Sequence, residues 1–319
     1  MLDSLLERFR RGDRRALSRL LSLLARGERS DEVLAGLAST APRKPARVVA
    51  LTGGAGVGKS SLTGKLIETA RSAGAGSPLS VAVLACDPQS PLSGGALLGD
   101  RFRMPNQPDD GVFIRSLATP GGKGALAEHL DDMVRLLEAF GFDLVLIETV
   151  GAGQGDTSVG DLADVVVLLL QPETGDDLQW EKAGVLEVAD LVVVHKADLP
   201  GAANVEAQVR SMLALGCREA PPVLRVSART GAGVRELLDA ILARPLRRKE
   251  NDRADDLLRL AQKTLITRFG QARAAQDAAF QELLGSWQRG ETTSAQAASE
   301  LLRVLAKRDE GRNSPPEGN

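Results

Sequence analysis

Lys59 and Ser60 close the run Gly53-Gly54-Ala55-Gly56-Val57-Gly58, which follows the apolar stretch Val48-Val49-Ala50-Leu51 almost directly. The octet fits G-x-x-x-x-G-K-[ST] without a gap, and phosphate chemistry explains each part of that spacing. A loop with little side-chain bulk lets the backbone N–H groups of Gly54, Ala55, Gly56, Val57 and Gly58 converge on phosphate oxygens. The helix expected to open at Lys59, Ser60 and Ser61 adds the positive end of its dipole. The Lys59 ammonium would bridge the β- and γ-phosphates, and the Ser60 hydroxyl would be an oxygen ligand for Mg²⁺. A flexible linker has a similar composition, but a strand before it and a helix after it argue for a fixed nest of donors.

A metal-assisted phosphoryl site needs carboxylates as well. The apolar segment Leu144 to Ile147 ends on Glu148, and Glu148-Thr149-Val150-Gly151 keeps the D-x-x-G spacing of nucleotide switches, with Glu in place of Asp. Glu148 can hold Mg²⁺ directly or through water, and the Gly151 N–H can sense a γ-phosphate. The next residues, AGQGDTS, are rich in glycine, as suits a segment that reorders on hydrolysis. Gln154 and Asp156 in that segment are both candidates for positioning the attacking water. An ordinary glutamate at a strand end is the competing reading of Glu148. Asp87, in CDPQSP after another apolar run, and Asp100, in GGALLGDR, are further metal candidates. Acids at strand C-termini of an open α/β sheet face the ligand crevice, although a helix cap or a surface acid would look the same.

A third constellation reads the base. His195-Lys196-Ala197-Asp198 follows the apolar run Leu191 to Val194 and resembles the N-K-x-D motif with which G proteins read guanine. Asp198 would accept from the guanine N1–H and exocyclic amine, which adenine cannot offer. Lys196 would cover the base plane and brace the phosphate loop. His195 stands where Asn is expected; a neutral imidazole can still donate a hydrogen bond, but the amide geometry is lost. Ser227-Ala228, after Val226, fits the loop that backs the base. GTP/GDP is therefore favoured over ATP.

These residues need a scaffold, and the chain supplies one. Seven β-rich runs cover 47–52, 80–86, 111–117, 143–150, 164–170, 189–196 and 222–228, several of them apolar almost throughout, as in a parallel sheet covered on both faces. Helical stretches at Ala125 to Ala139, Val205 to Leu215 and Val234 to Leu242 alternate with them, so the fold class expected is α/β, a doubly wound phosphate-loop domain. Before it, Leu5, Leu6 and Phe9, then Leu17, Leu20, Leu21 and Leu24, lie at helical spacing on either side of Gly12-Asp13, with a further helix near Asp31 to Leu37. After it, Leu257 to Phe269, Phe280 to Trp287 and Leu301 to Leu305 mark three more helices. The expected organisation is a helical extension over 1–44, a nucleotide domain over 45–247, a helical arm over 248–308 and a polar disordered tail over 309–319.

Composition narrows the classes. With 319 residues, 43% hydrophobic and 26% charged, a sizeable core is available, and a net charge of -2 gives no pull toward nucleic acid or anionic membrane. Cys86 and Cys217 fit neither a disulfide framework nor a zinc spacing, so a reducing, cytoplasmic location is expected. The apolar run Val165 to Leu170 is too short to span a bilayer. The Arg-rich N-terminus has the look of a mitochondrial presequence, but Asp3, Glu7 and Asp13 point to a folded helical element.

Taken in order, GDRRALSRL, TGGAGVGKSSL, DPQSPLSGGALLGDRFRM, ETVGAGQGD and GDDLQWEKAGVLEVADLVVVHKAD resemble the MeaB/ArgK-type GTPases, chaperones of adenosylcobalamin-dependent acyl-CoA mutases. The resemblance runs from about Gly12 to about Leu305. It implies a homodimer with a C-terminal dimerisation arm, which gates cobalamin delivery to a mutase and helps remove damaged cofactor. It assigns Lys59, Ser60, Asp87, Asp100 and Glu148 to the phosphate and Mg²⁺ site, Gln154 and Asp156 to the switch after Glu148, and Asp176, Gln179 and Lys182 to a further switch that addresses the mutase. The family's usual G-D-E-L-Q-G-I-K-K-G reads GDDLQWEKAG here, so Trp180, Glu181 and Ala183 depart from it; Trp180 either anchors an interface or packs inward. With His195, these departures suggest a divergent paralogue.

The leading expectation is a slow GTP hydrolase acting as a mutase chaperone. A regulatory dimer that reads nucleotide state and barely hydrolyses is the alternative, as is an ATPase or kinase linked to amino-acid transport. A nickel-insertion GTPase fits poorly, since His129 and His195 are the only histidines.

Overall fold

The computed structural model describes residues 2–38, 44–72, 77–88, 111–119, 129–149, 162–172, 188–216, 220–247 and 253–310. The chain forms two compact units, Met1–Arg248 and Lys249–Asn319. In the first, helices α1 (Leu2–Arg10), α2 (Arg14–Ala25) and α3 (Ser30–Ala38) precede β1 (Arg47–Gly53), α4 (Lys59–Arg71), β2 (Val81–Pro88), β3 (Val112–Thr119) and α5 (Leu130–Phe140). Then follow β4 (Leu144–Glu148), β5 (Val165–Leu170), β6 (Leu191–Val194), α6 (Ala202–Gly216), β7 (Val223–Arg225) and α7 (Val234–Ala243).

All seven expected strands form, and they make one sheet in the order β3-β2-β4-β1-β5-β6-β7 with every pair parallel. Their bounds are tighter than the apolar runs: the run 222–228 contributes only Val223–Arg225 to the ladder, because the chain then turns away at Ser227. Alternate residues of β1 go to opposite layers. Val48 and Ala50 join a core with α1, α2 and α5, while Val49 and Leu51 join one with α4 and α7. A third cluster packs α6 on β5, β6 and β7. Both faces are covered, which is why the strands read as continuous apolar runs.

An aspartate precedes each of β4, β5 and β6, and the three act alike. The carboxylates of Asp143, Asp164 and Asp190 accept from the N–H groups of Ser80 (2.9 Å), Val48 (2.9 Å) and Val166 (2.8 Å), each on or beside the neighbouring strand. They satisfy donors at the end of the sheet opposite the phosphate loop and so pin its register. Asp13 caps α2 by accepting from the N–H of Arg15 and Ala16, and Gly12 in the preceding turn has φ 83°.

The second unit holds α8 (Arg253–Ala274), α9 (Ala278–Gln288) and α10 (Ser294–Glu310). Its buried centre is Ala272, Phe280 and Leu305, with Phe269 edge-on to Phe280 at 5.2 Å. Helix α10 is longer than the apolar residues Leu301 to Leu305 suggest, and it takes in Asp309 and Glu310 from the segment expected as tail. A capping box explains its start: Thr293 N–H donates to Gln296 Oε1 (3.0 Å), and Gln296 N–H to Thr293 Oγ1 (3.3 Å).

Candidate functional site

The phosphate loop runs from the C-terminus of β1, at the centre of the sheet, into the N-terminus of α4. Gly58 adopts φ 97°, and a Cβ there would sit 2.6 Å from Cε1 of His195, so both backbone and space require glycine. Lys59 Nζ folds back over the loop and donates to the carbonyls of Gly53 (2.9 Å) and Gly54 (3.2 Å). Both Lys59 and Ser60 are buried. The register places Glu148 opposite Leu51 on β1 and Ala85 on β2. From there its buried carboxylate reaches the start of α4, and Ser60 Oγ donates to Glu148 Oε1 at 2.6 Å. Two residues more than 80 positions apart thus meet as an oxygen pair beside the loop. Mg²⁺ takes few protein ligands and fills the rest of its shell with phosphate and water oxygens, so this pair suits it. Among the described residues no group of three or more His, Cys, Asp or Glu could hold a metal.

Asp87 lies on β2 two positions beyond Ala85, with Ala118 opposite it; its side chain is outside the described residues. So are Asp100, Gly151, Gln154 and Asp156, and likewise Asp176, Gln179, Trp180, Glu181, Lys182 and Ala183.

The second half of the site gathers at the ends of β6 and β7. Lys196 sits in the left-handed region with φ 54°, a conformation that costs a non-glycine residue about 1–2 kcal/mol. Such turns persist where the surroundings over-determine them, and they cluster at functional sites. Asp198 has both oxygens engaged: Ser227 Oγ donates to Oδ1 in a short hydrogen bond, and Arg229 Nη2 lies 2.7 Å from Oδ2. The Ser227 hydrogen bond, with Arg229 beside it, holds the Asp198 carboxyl below the usual range. Arg229 is largely exposed, so solvent screens its ion pair with Asp198 and a ligand can displace it. His195 is buried, and burial pushes its pKa down.

These residues line a cleft of about 510 Å³ bounded by Gly58, Ser61 and Lys65 on one side and His195, Lys196, Asp198 and Ala228 on the other. The structure therefore brings Gly58, Ser61, His195, Lys196, Asp198 and Ala228 around one cavity. Sequence reasoning missed Arg229, although it follows Ser227-Ala228 directly, and missed Lys65 and Glu68, which lie about two and three turns along α4 from the loop.

A parallel sheet with a glycine-rich loop joining its central strand to a buried helix N-terminus, faced by an acidic strand end, is the architecture of P-loop nucleoside triphosphatases. The comparisons name the branch. The family described as methylmalonyl-CoA mutase-associated GTPase MeaB matches residues 17–276, and the chain belongs to that family of GTPases. A Pyrococcus abyssi protein provisionally named a GTPase is 43% identical over 251 residues, which cover 76% of this chain and 75% of that one. The fused isobutyryl-CoA mutase of Cupriavidus metallidurans is 40% identical over 191 residues, 60% of this chain but 17% of the mutase. Among solved structures, one titled as an LAO/AO transport system kinase aligns with a TM-score of 0.63 at 24% identity, covering 96% of this chain and 97% of that one, which supports the fold alone. No helix among the described residues is long and apolar enough to cross a membrane.

Proposed function

We propose that this GTPase is a Mg²⁺-dependent chaperone of an adenosylcobalamin-dependent acyl-CoA mutase, which gates cofactor delivery and protects or reactivates the mutase, and that it works as a homodimer through its C-terminal helices. One observation carries the reading: a domain 40% identical to this chain over 191 residues forms part of a fused isobutyryl-CoA mutase. A domain built into a mutase polypeptide in one protein is a natural partner of a mutase where the two are separate.

The chemistry assigned to the site follows from its residues. Lys59 leaves the loop carbonyls it now engages and meets the β- and γ-phosphates, while the loop N–H groups hold the remaining oxygens. Ser60 and Glu148 would hold Mg²⁺, which neutralises charge on those phosphates. Asp198 would accept from guanine once Arg229 yields. Gln154 and Asp156 remain the candidates for orienting water. With positioning and charge neutralisation alone, intrinsic turnover is slow and rises when the partner docks.

The test is nucleotide binding and single-turnover cleavage by the purified chain with Mg²⁺, with and without a candidate mutase. Preference for GTP over ATP and retention of the mutase in a non-hydrolysable GTP analogue are expected. Failure to retain any cobalamin-dependent mutase in either nucleotide state would overturn the chaperone role.

A further inference from the structure

His195 is the residue at which this chain departs from the Asn of the base-reading motif. Both nitrogens of its ring have protein partners. Nδ1 lies 2.7 Å from the carbonyl oxygen of Val57 in the phosphate loop, and the N–H of Ala228 lies 3.3 Å from Nε2. A carbonyl can only accept and an N–H can only donate, so one tautomer satisfies both: Nδ1 carries the proton and Nε2 is bare. The Cε1–Nδ1 edge of the ring also fits where Gly58 leaves room, since a Cβ at Gly58 would lie 2.6 and 2.7 Å from Cε1 and Nδ1.

From this geometry we infer that His195 is a positioning residue: a neutral, tautomer-locked strut that ties the phosphate loop at Val57 to the base loop at Ala228, leaving base discrimination to Asp198. The inference rests on reading 195–198 and 227–228 as the base-recognition segments. Its consequence is mechanical. A nucleotide touches both loops at once, and a strut between them fixes their spacing before binding, so less ordering is left for the ligand to impose. Asn can supply a donor and an acceptor from one amide, which explains how imidazole can stand in its place.

Protonation would defeat the strut, because Nε2–H would then face the Ala228 N–H as a second donor. Burial lowers the His195 pKa. The Val57 carbonyl raises it, Lys196 on the adjoining turn lowers it and Asp198 raises it. The other charged groups lining the cleft are Lys65 and Glu68 from α4 and Arg229 from the base loop. The ring accordingly stays neutral at ordinary pH, and the strut weakens only in acid.

The chain has two histidines, so imidazole ¹⁵N NMR of the full-length protein, with His129→Gln to assign the signals, reads the tautomer directly. The strut requires the proton on Nδ1, with Nε2 bare. Averaging between the nitrogens, a proton on Nε2, or an unshifted titration would overturn it. Fluorescent nucleotide binding supplies the second arm. His195→Ala should weaken GDP and inosine diphosphate by the same factor, on the order of tenfold, and His195→Asn should recover most of the loss. A change in the GDP to inosine diphosphate ratio would mean that His195 reads the exocyclic amine, and the strut would fall. If His195→Ala does not fold, wild-type NMR and His195→Asn still decide. A chain that binds ADP as well as GDP would instead remove the base-site reading itself, whatever the tautomer.

Discussion

Lys59, Asp198 and His195 each divide their duties between the fold and a ligand, and their substitutions separate the two. Lys59→Ala removes the only cation placed to reach the phosphates from within the loop motif; single-turnover GTP cleavage should fall at least about a hundredfold, with far-ultraviolet circular dichroism unchanged. Asp198→Asn replaces an acceptor with an amide. It should cost GTP about a hundredfold in affinity while favouring xanthosine triphosphate, whose base carries a carbonyl where guanine has its amine; competition titration reads both. His195 gives a pH dependence whose sign follows from its lowered pKa. The unfolded chain takes up that proton first, near pH 6.5, so the stability contribution is complete above that value and drains away as pH falls from it toward the lowered folded pKa. Urea midpoints should show an acid-side decline that is shallower in His195→Asn; an identical slope in both proteins would remove His195 as its source.

Elements carry the part of the structure that sequence makes legible. β4, β5 and β6 were readable because strands buried on both faces are apolar throughout, and α4 because a loop motif announces its first turn. The meeting of Ser60 with Glu148 could be anticipated in kind, since both belong to recognisable motifs at strand ends. The His195 strut could not: Val57 lies 138 positions away, and nothing local to either residue encodes the contact. The start of α10 was hidden for a different reason. Its first turns are polar, so apolar periodicity begins late, although the Thr293/Gln296 capping box was in plain view. The aspartates before β4 to β6 belong to this scale too. Asp164→Ala should leave the Val48 N–H buried without its acceptor and cost about 1–3 kcal/mol, whereas Asp164→Asn, which keeps an oxygen there, should recover most of it. Equal losses in the two variants would show that charge rather than hydrogen bonding matters at this strand end.

The whole molecule divides its labour between two units, and their surfaces differ accordingly. Among the described residues of Met1–Arg248, most large apolar side chains are buried beneath helices or within the sheet. Among the described residues, the large apolar side chains that stay exposed are Leu242, Leu258, Ile266, Phe269, Trp287 and Leu302, and all but Leu242 belong to the second unit. Among the described residues of that unit the buried centre is Ala272, Phe280 and Leu305, a small core. Short domains of that kind usually need a partner to bury the rest. An obligate dimer interface buries apolar side chains in this way, as though a domain core had been cut in two. If the second copy is what covers these helices, the intact chain should scatter light as twice its 33.7 kDa. Ile266→Glu combined with Leu302→Glu should then reduce it to the single mass, because two buried charges per protomer cannot be desolvated unpaired. Neither residue belongs to the nucleotide cleft, so single-turnover GTP cleavage by the double variant should stay within about twofold of the parent, as expected for exposed positions away from the chemistry. A double variant that kept the doubled mass would place the dimer contact elsewhere, and an intact chain of single mass would end the homodimer proposal.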